Sequence, residues 1–214
     1  MFLQYLQAVA DSTVLLSLAV GLEVVCLYTM NGLVDRLTTK YPDPQATPPD
    51  LRFGYTSQEL NAFYDTIGVE GCQTYYKYMV LFDLFPYMST YSVLLGALLY
   101  QQIQESNHLI APKYALIFPF AMCCDVLETI IPAVGCELYA SSVIKAREKG
   151  QPLTDATIVR LPEYAVLVSA GANQFKWILF AVGLLLLSCL FLYNTLVRPI
   201  FKKKTKPTES KKDD

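Results

Sequence analysis

What the chain lacks narrows its class first. Only 17% of its 214 residues are charged, against about 25% in ordinary soluble domains. It has a single histidine, His108, so paired histidine ligation of a haem inside a helical bundle is excluded. The six cysteines are Cys26, Cys72, Cys123, Cys124, Cys136 and Cys189. No two form a Cys-x-x-Cys pair, and their spacing fits neither a zinc site nor a disulfide framework. They read as small apolar packing residues. There is no Gly-rich phosphate loop, no His cluster and no nucleophile motif. The net charge is −2, and the one basic stretch is the C-terminal tail, so a nucleic-acid partner is not expected. No cofactor is implied, and an enzyme is less favoured than a non-catalytic protein.

What is present is hydrophobic. Residues of that class make up 53% of the chain, and they gather in four long blocks at about 13–34, 78–100, 114–140 and 175–197. A helix needs about 20 apolar residues to cross roughly 30 Å of hydrocarbon. The expected fold is therefore all-α: an integral membrane bundle of four transmembrane helices over residues 1–200, followed by a basic disordered tail at 201–214. Asp11 or Ser12 can cap the first span. Tyr78, Tyr100, Tyr114, Tyr139, Trp177 and Tyr193 lie near block edges, where amphipathic rings sit at headgroup level. The first block carries Glu23 and lacks a basic start and a small-residue cleavage site, so it reads as a retained helix.

The first loop has structure of its own. Residues 41–50 form a Pro-rich, extended connector. Thr56 and Glu59 make a Thr-x-x-Glu capping box. A short amphipathic helix should follow, with Leu60, Phe63 and Ile67 on one face and Gly68 at its end. Leu161 to Gln174 reads as a helical prelude to the fourth span, with Pro162 in its first turn.

Four spans put both termini on one side. With Lys176 left out as intramembrane, lysine and arginine divide eight and eight between the two sides, so the positive-inside rule does not choose. The tail ends Lys211-Lys212-Asp213-Asp214, which resembles a cytosolic dilysine retrieval signal with Lys211 and Lys212 as the recognised pair. The expected location is the endoplasmic-reticulum membrane with cytosolic termini. The mitochondrial inner membrane or another organelle membrane is the alternative. The expected partners are membrane lipids and the proteins of a membrane complex.

Ionisable groups inside the blocks are the most informative feature. Glu23, Asp83, Asp125, Glu128 and Lys176 all fall within predicted spans. A charge at the bilayer centre costs at least about 2.5–3.5 kcal/mol, so such groups face the bundle interior and pair. Asp125, Glu128 and Thr129 share one helix face. Counting along the blocks puts Glu23, Asp125 and Glu128 near the midplane, and Asp83 level with Lys176, which can pair with it. Glu23 could hydrogen-bond Thr129 or a backbone carbonyl. Pro119 and Pro132 bracket the acidic pair, and each frees a carbonyl that a neighbouring helix or water must satisfy.

The run Gly54-Tyr55, Gly68-Val-Glu70-Gly71, Tyr75 and Asp83-Leu-Phe-Pro86 resembles a pattern in uncharacterised small four-helix membrane proteins, mostly bacterial. In these a Gly-x-Glu-Gly segment precedes Asp-x-x-Pro in the second span. An Asp-x-x-Glu-Asn follows in the third, and an intramembrane Lys in the fourth. Here the third motif is Asp125-Val-Leu-Glu128-Thr129, with Thr in place of Asn, and the lysine is Lys176. The resemblance implies the four-span fold and this choice of polar residues, and it carries no activity.

Two functions compete. The favoured one is a non-catalytic multi-pass protein, a scaffold or accessory subunit of a larger membrane complex. The other is a proton-coupled small-molecule carrier or a lipid-modifying enzyme that uses the mid-membrane carboxylates.

Overall fold

The computed structural model describes residues 1–200, and within them every regular element is helical. The tail, with Lys211 and Lys212, lies outside the described residues. Helix α1 spans Phe2–Ala10, α2 Thr13–Lys40, α3 Ser57–Thr74, α4 Met88–Glu105, α5 Ile117–Glu148 and α6 Glu163–Leu192. Three stretches are long and apolar enough to cross a bilayer: Thr13–Lys40, Pro112–Glu148 and Glu163–Ile200.

The predicted second span, 78–100, is not among them. Two π-helical turns, Tyr75–Val80 and Asp83–Tyr87, precede α4. Pro86 stands inside the second turn, where its missing N–H disrupts the regular ladder. The segment is also polar for a physical reason. Helix α4 packs against α1, α2, α5 and α6, and Thr90, Tyr91 and Ser92 are buried within it. A helix enclosed by other helices meets protein rather than lipid, so its sequence need not be apolar all round.

Helix α1 was not foreseen. Leu6, Val9 and Ala10 are buried, on the one-turn spacing of a helix face. A methyl group on Gly96 of α4 would lie 3.1 Å from the Leu6 side chain, so the glycine sets how closely α1 and α4 approach. Ser12 caps α2 by accepting from the Leu15 N–H at 3.3 Å.

Helix α3 begins at the capping box: Thr56 Oγ1 accepts from the Glu59 N–H, and Glu59 Oε2 accepts from the Thr56 N–H at 2.7 Å. These contacts hold the Glu59 carboxyl below the usual carboxylate range, the Thr56 backbone N–H being the larger cause. Leu60, Phe63 and Ile67 are all buried, each stabilising by roughly 1.5–3 kcal/mol relative to exposure. Gly68 has φ +61° and ψ −168°, which kinks the chain there, yet helix resumes and runs on to Thr74. Tyr64 crosses to α5 and donates to Pro132 O at 3.0 Å.

Helices α5 and α6 run antiparallel as the main packing pair. Both exceed their predicted blocks. Helix α5 has 32 residues, or about 48 Å, and α6 starts at Glu163 with Pro162 at its N-cap. Of the cysteines, Cys26, Cys72 and Cys136 are buried packing residues, while Cys123 and Cys189 face outward and Cys124 is half-buried. All six are free thiols.

Candidate functional site

The polar groups converge where α4, α5, α6 and the Pro-rich connector meet. Lys176 of α6 donates to Asp125 Oδ1 at 2.8 Å and to Glu128 Oε2 at 2.7 Å. Tyr91 of α4 donates to the other Asp125 oxygen at 2.8 Å. Glu128 is fully buried, and its second oxygen accepts from Asn173 Nδ2 at 3.3 Å. One carboxylate pair thus shares one ammonium, and neutral donors take the remaining oxygens. That arrangement offsets the desolvation a buried ion pair suffers.

This corrects two sequence expectations. Lys176 does not pair with Asp83, which instead accepts from Thr129 Oγ1 at 3.1 Å. The cause is packing: the tight α5–α6 contact brings Lys176 to the acids of α5, while Asp83 belongs to the π-turn across the cavity. Glu23 is not part of the cluster, because its face of α2 lies against α4. There its Oε2 accepts from Thr90 Oγ1 at 2.7 Å, not from Thr129. Asp125 and Glu128 stand 8 and 11 residues after Ile117 in a helix of 32 residues (125 − 117 and 128 − 117). The helix outruns its apolar block at the C-terminal end, so its own centre lies beyond them.

The freed carbonyl behaves as expected. Pro132 leaves Glu128 O, one turn earlier, without its helical N–H. Ser169 of α6 donates to that oxygen at 3.0 Å. The Ser169 proton being used there, the 2.5 Å contact with Tyr55 has Tyr55 as donor. Burial pushes the Tyr55 phenol up, so it stays a donor.

Sequence reasoning missed Asp50 and Asn173. The connector is docked, not loose. Ala46, Pro48 and Pro49 are buried, and Asn173 Nδ2 donates to Arg52 O at 2.9 Å and Pro49 O at 3.2 Å. Gly54 then turns with φ +84° beneath Gln174, whose side chain would lie 2.7 Å from any Cβ there. A larger residue would be strained by both conformation and space. The result delivers Asp50 into the bundle, where Tyr75 donates to its Oδ1 at 3.4 Å. Burial raises the Asp50 carboxyl above its ordinary value, against the Lys176 ammonium, which lowers it. The available signal was Asn173, a buried amide in an apolar block that requires polar partners.

These residues wall a cavity of about 200 Å³. Asp50, Asp83, Asp125 and Lys176 supply its polar wall, and Tyr87, Tyr91, Trp177 and Phe180 an aromatic one. Leu27, Met30 and Val34 of α2 close one side. Among the described residues no group of three or more His, Cys, Asp or Glu is placed to hold a metal ion. The geometry can bind and orient a polar group next to apolar surface. No protein-family model matches the chain, and no curated protein and no solved structure matches it, so the functional reading rests on this geometry.

Proposed function

We propose that the chain is a four-span membrane protein that binds a small molecule without transforming it, acting as a carrier or a ligand-holding accessory subunit. One observation carries this: carboxylates from the connector, the π-turn and α5 meet a single lysine around a cavity of about 200 Å³. A purely structural ion pair needs no such space, since interiors otherwise pack to high density. The four-span topology takes α4 as the remaining span. Its support is that α4 lies among the three long apolar helices, and that its end meets the end of α6 through Asn194 Nδ2 donating to Gln102 O at 2.9 Å. In this topology both termini share one side, α3 packs over the bundle as the amphipathic helix of the first loop, and the endoplasmic reticulum is the proposed membrane, on the strength of Lys211 and Lys212.

Native mass spectrometry of the full chain from mild detergent tests the binding reading. The expected result is a single chain or dimer carrying a bound small molecule, and loss of that molecule in a folded Asp125→Asn variant. A large particle with stoichiometric protein partners and no bound molecule would overturn it in favour of a scaffold subunit.

A further inference from the structure

The acids of the cavity outnumber its cations. Asp50, Asp83 and Asp125 line it against Lys176, whose hydrogen bonds already go to Asp125 and to Glu128 buried behind the wall. Asp83 is only 6% exposed. Its Oδ2 takes the Thr129 hydroxyl, and among the described residues its Oδ1 takes no hydrogen bond. Asp50 beside it is half-buried and takes the Tyr75 hydroxyl on one oxygen. Both residues line the cavity and also the small crevice behind it. A buried carboxylate without a donor is costly and draws a cation or a donor to itself.

The aromatic wall beside them is suited to a cation of one kind, and at Trp177 the Lys176 ammonium already lies 5.4 Å from the ring centroid. Tyr87 and Tyr91 meet edge to face at 5.5 Å, Tyr91 and Phe180 lie 5.0 Å apart, and Trp177 continues the row at 6.3 Å from Phe180. Aromatic faces attract ammonium and alkylated ammonium groups. Size adds a limit. Sites that enclose a drug-sized ligand measure roughly 300–1,000 Å³, whereas this one measures about 200 Å³. It holds a headgroup and leaves the rest of the molecule outside. Helices α2 and α6 flank the cavity and both pack on α4 rather than extensively on each other. Each presents apolar residues, Leu27 and Met30 beside Asn31 from one, Trp177 and Phe180 beside Lys176 from the other.

We infer that the cavity binds an ammonium-bearing amphiphile taken from the membrane, its charged head between Asp83, Asp50 and the aromatic row and its hydrocarbon tail leaving between α2 and α6. The inference rests on the reading of the chain as a small-molecule binder and names the ligand class of that site. Trp177 is the only tryptophan in the chain, so its emission reports on the cavity alone.

The full chain in dodecyl maltoside is titrated with dodecyltrimethylammonium, with dodecanol and with tetramethylammonium. The expected result is a saturable change in Trp177 emission with the first. Both other probes should be weaker by a hundredfold or more, and folded Asp83→Asn should weaken the first at least tenfold. Should Asp83→Asn fail to fold, Asp50→Asn in the connector gives the same comparison. Equal binding of dodecanol would overturn the cationic class. Equal binding of tetramethylammonium would overturn the membrane source. An unchanged titration in the folded variants would overturn the site. If no probe binds while native mass spectrometry still finds another small molecule, the ligand class fails and the binding function stands. If it finds only protein partners, both fail.

Discussion

Replacing Lys176 by methionine separates the observed cluster from the pairing that sequence suggests. Methionine keeps most of the stem volume and removes the ammonium. Asp125 and Glu128, at 2.8 Å and 2.7 Å from Nζ, are then left buried without a counter-charge. Breaking a buried pair by removing one partner costs about 3–5 kcal/mol. At about 2–4 °C per kcal/mol for a chain of this length, the thermal midpoint should fall by about 6–20 °C. Asp83→Asn should cost less than about 1.5 kcal/mol, since its amide oxygen can still accept from Thr129 and no ion pair is lost. A triple variant, Lys176→Met with Asp125→Asn and Glu128→Gln, should recover to within about 2 kcal/mol of the parent, because a neutral cluster leaves no buried charge. Thermal unfolding in dodecyl maltoside, followed by far-UV circular dichroism and size exclusion, measures all three. The reasoning is refuted if Lys176→Met melts within 2–3 °C of the parent, or if Asp83→Asn is as costly as Lys176→Met.

Gly135→Ala would drive a methyl group into the Tyr64 hydroxyl and to 2.7 Å from Leu161. Overpacking of this kind should cost about 1–3 kcal/mol, and a parent-like midpoint would show that α3 is not seated on α5 as described. Thr56→Ala removes the reciprocal cap of α3 and should cost about 1 kcal/mol, read as a lowered melting temperature and faster amide exchange over residues 57–63. Asp50→Asn tests pH dependence. Burial raises the Asp50 carboxyl, so its protonated form is the one the fold favours. Stability from this group is full below the ordinary aspartate value of about 3.9 and is lost as pH rises through the raised value. The groups facing it are Tyr75, Asp83, Asp125, Glu128 and Lys176. The midpoint of Asp50→Asn relative to the parent should therefore grow as pH rises from 4, and a gap that is constant with pH would contradict it.

How much of this was legible depends on which physical signal a residue carries. Hydropathy finds surfaces that face lipid, so α2, α5 and α6 were visible as blocks, though their ends were not. Lys145 and Arg147 lie in the last turn of α5 and still continue the helix past the apolar block, because backbone propensity does not stop where hydrophobicity does. Helix α4 was read as a span from composition; its neighbours enclose it, and it is not among the stretches long and apolar enough to cross a bilayer. The capping box and Gly68 were readable because both act locally. Gly68 marked a kink rather than an end, since packing of Gly71 and Cys72 carries the helix on. Helix α1 was missed because nine residues are too few to nucleate by propensity alone, and its stability comes from the α4 surface beneath it.

The site shows the same division more sharply. Asp125, Glu128, Thr129 and Lys176 stood out because charge in an apolar block must be answered by a partner. The choice of partner was not local information. It followed from the antiparallel register of α5 and α6, which sets Lys176 opposite residues 125–128. Asp50 carried no signal at all, because an aspartate in a Pro-rich loop reads as solvated. Its place in the cavity follows from two residues far along the chain: Asn173 holds the connector's carbonyls, and Gln174 passes over Gly54. A loop is normally at the surface because a buried loop strands backbone polar groups. Here a buried amide on α6 satisfies them, and so the connector can bring a carboxylate into the bundle. Since α6 also supplies Lys176, loss of Asn173 should loosen the connector and the ion-pair cluster together. The polar wall of the cavity is therefore a product of tertiary packing between segments more than 120 residues apart: Asp83, Asp125 and Lys176 could be read from the apolar blocks of the chain, and Asp50 could not.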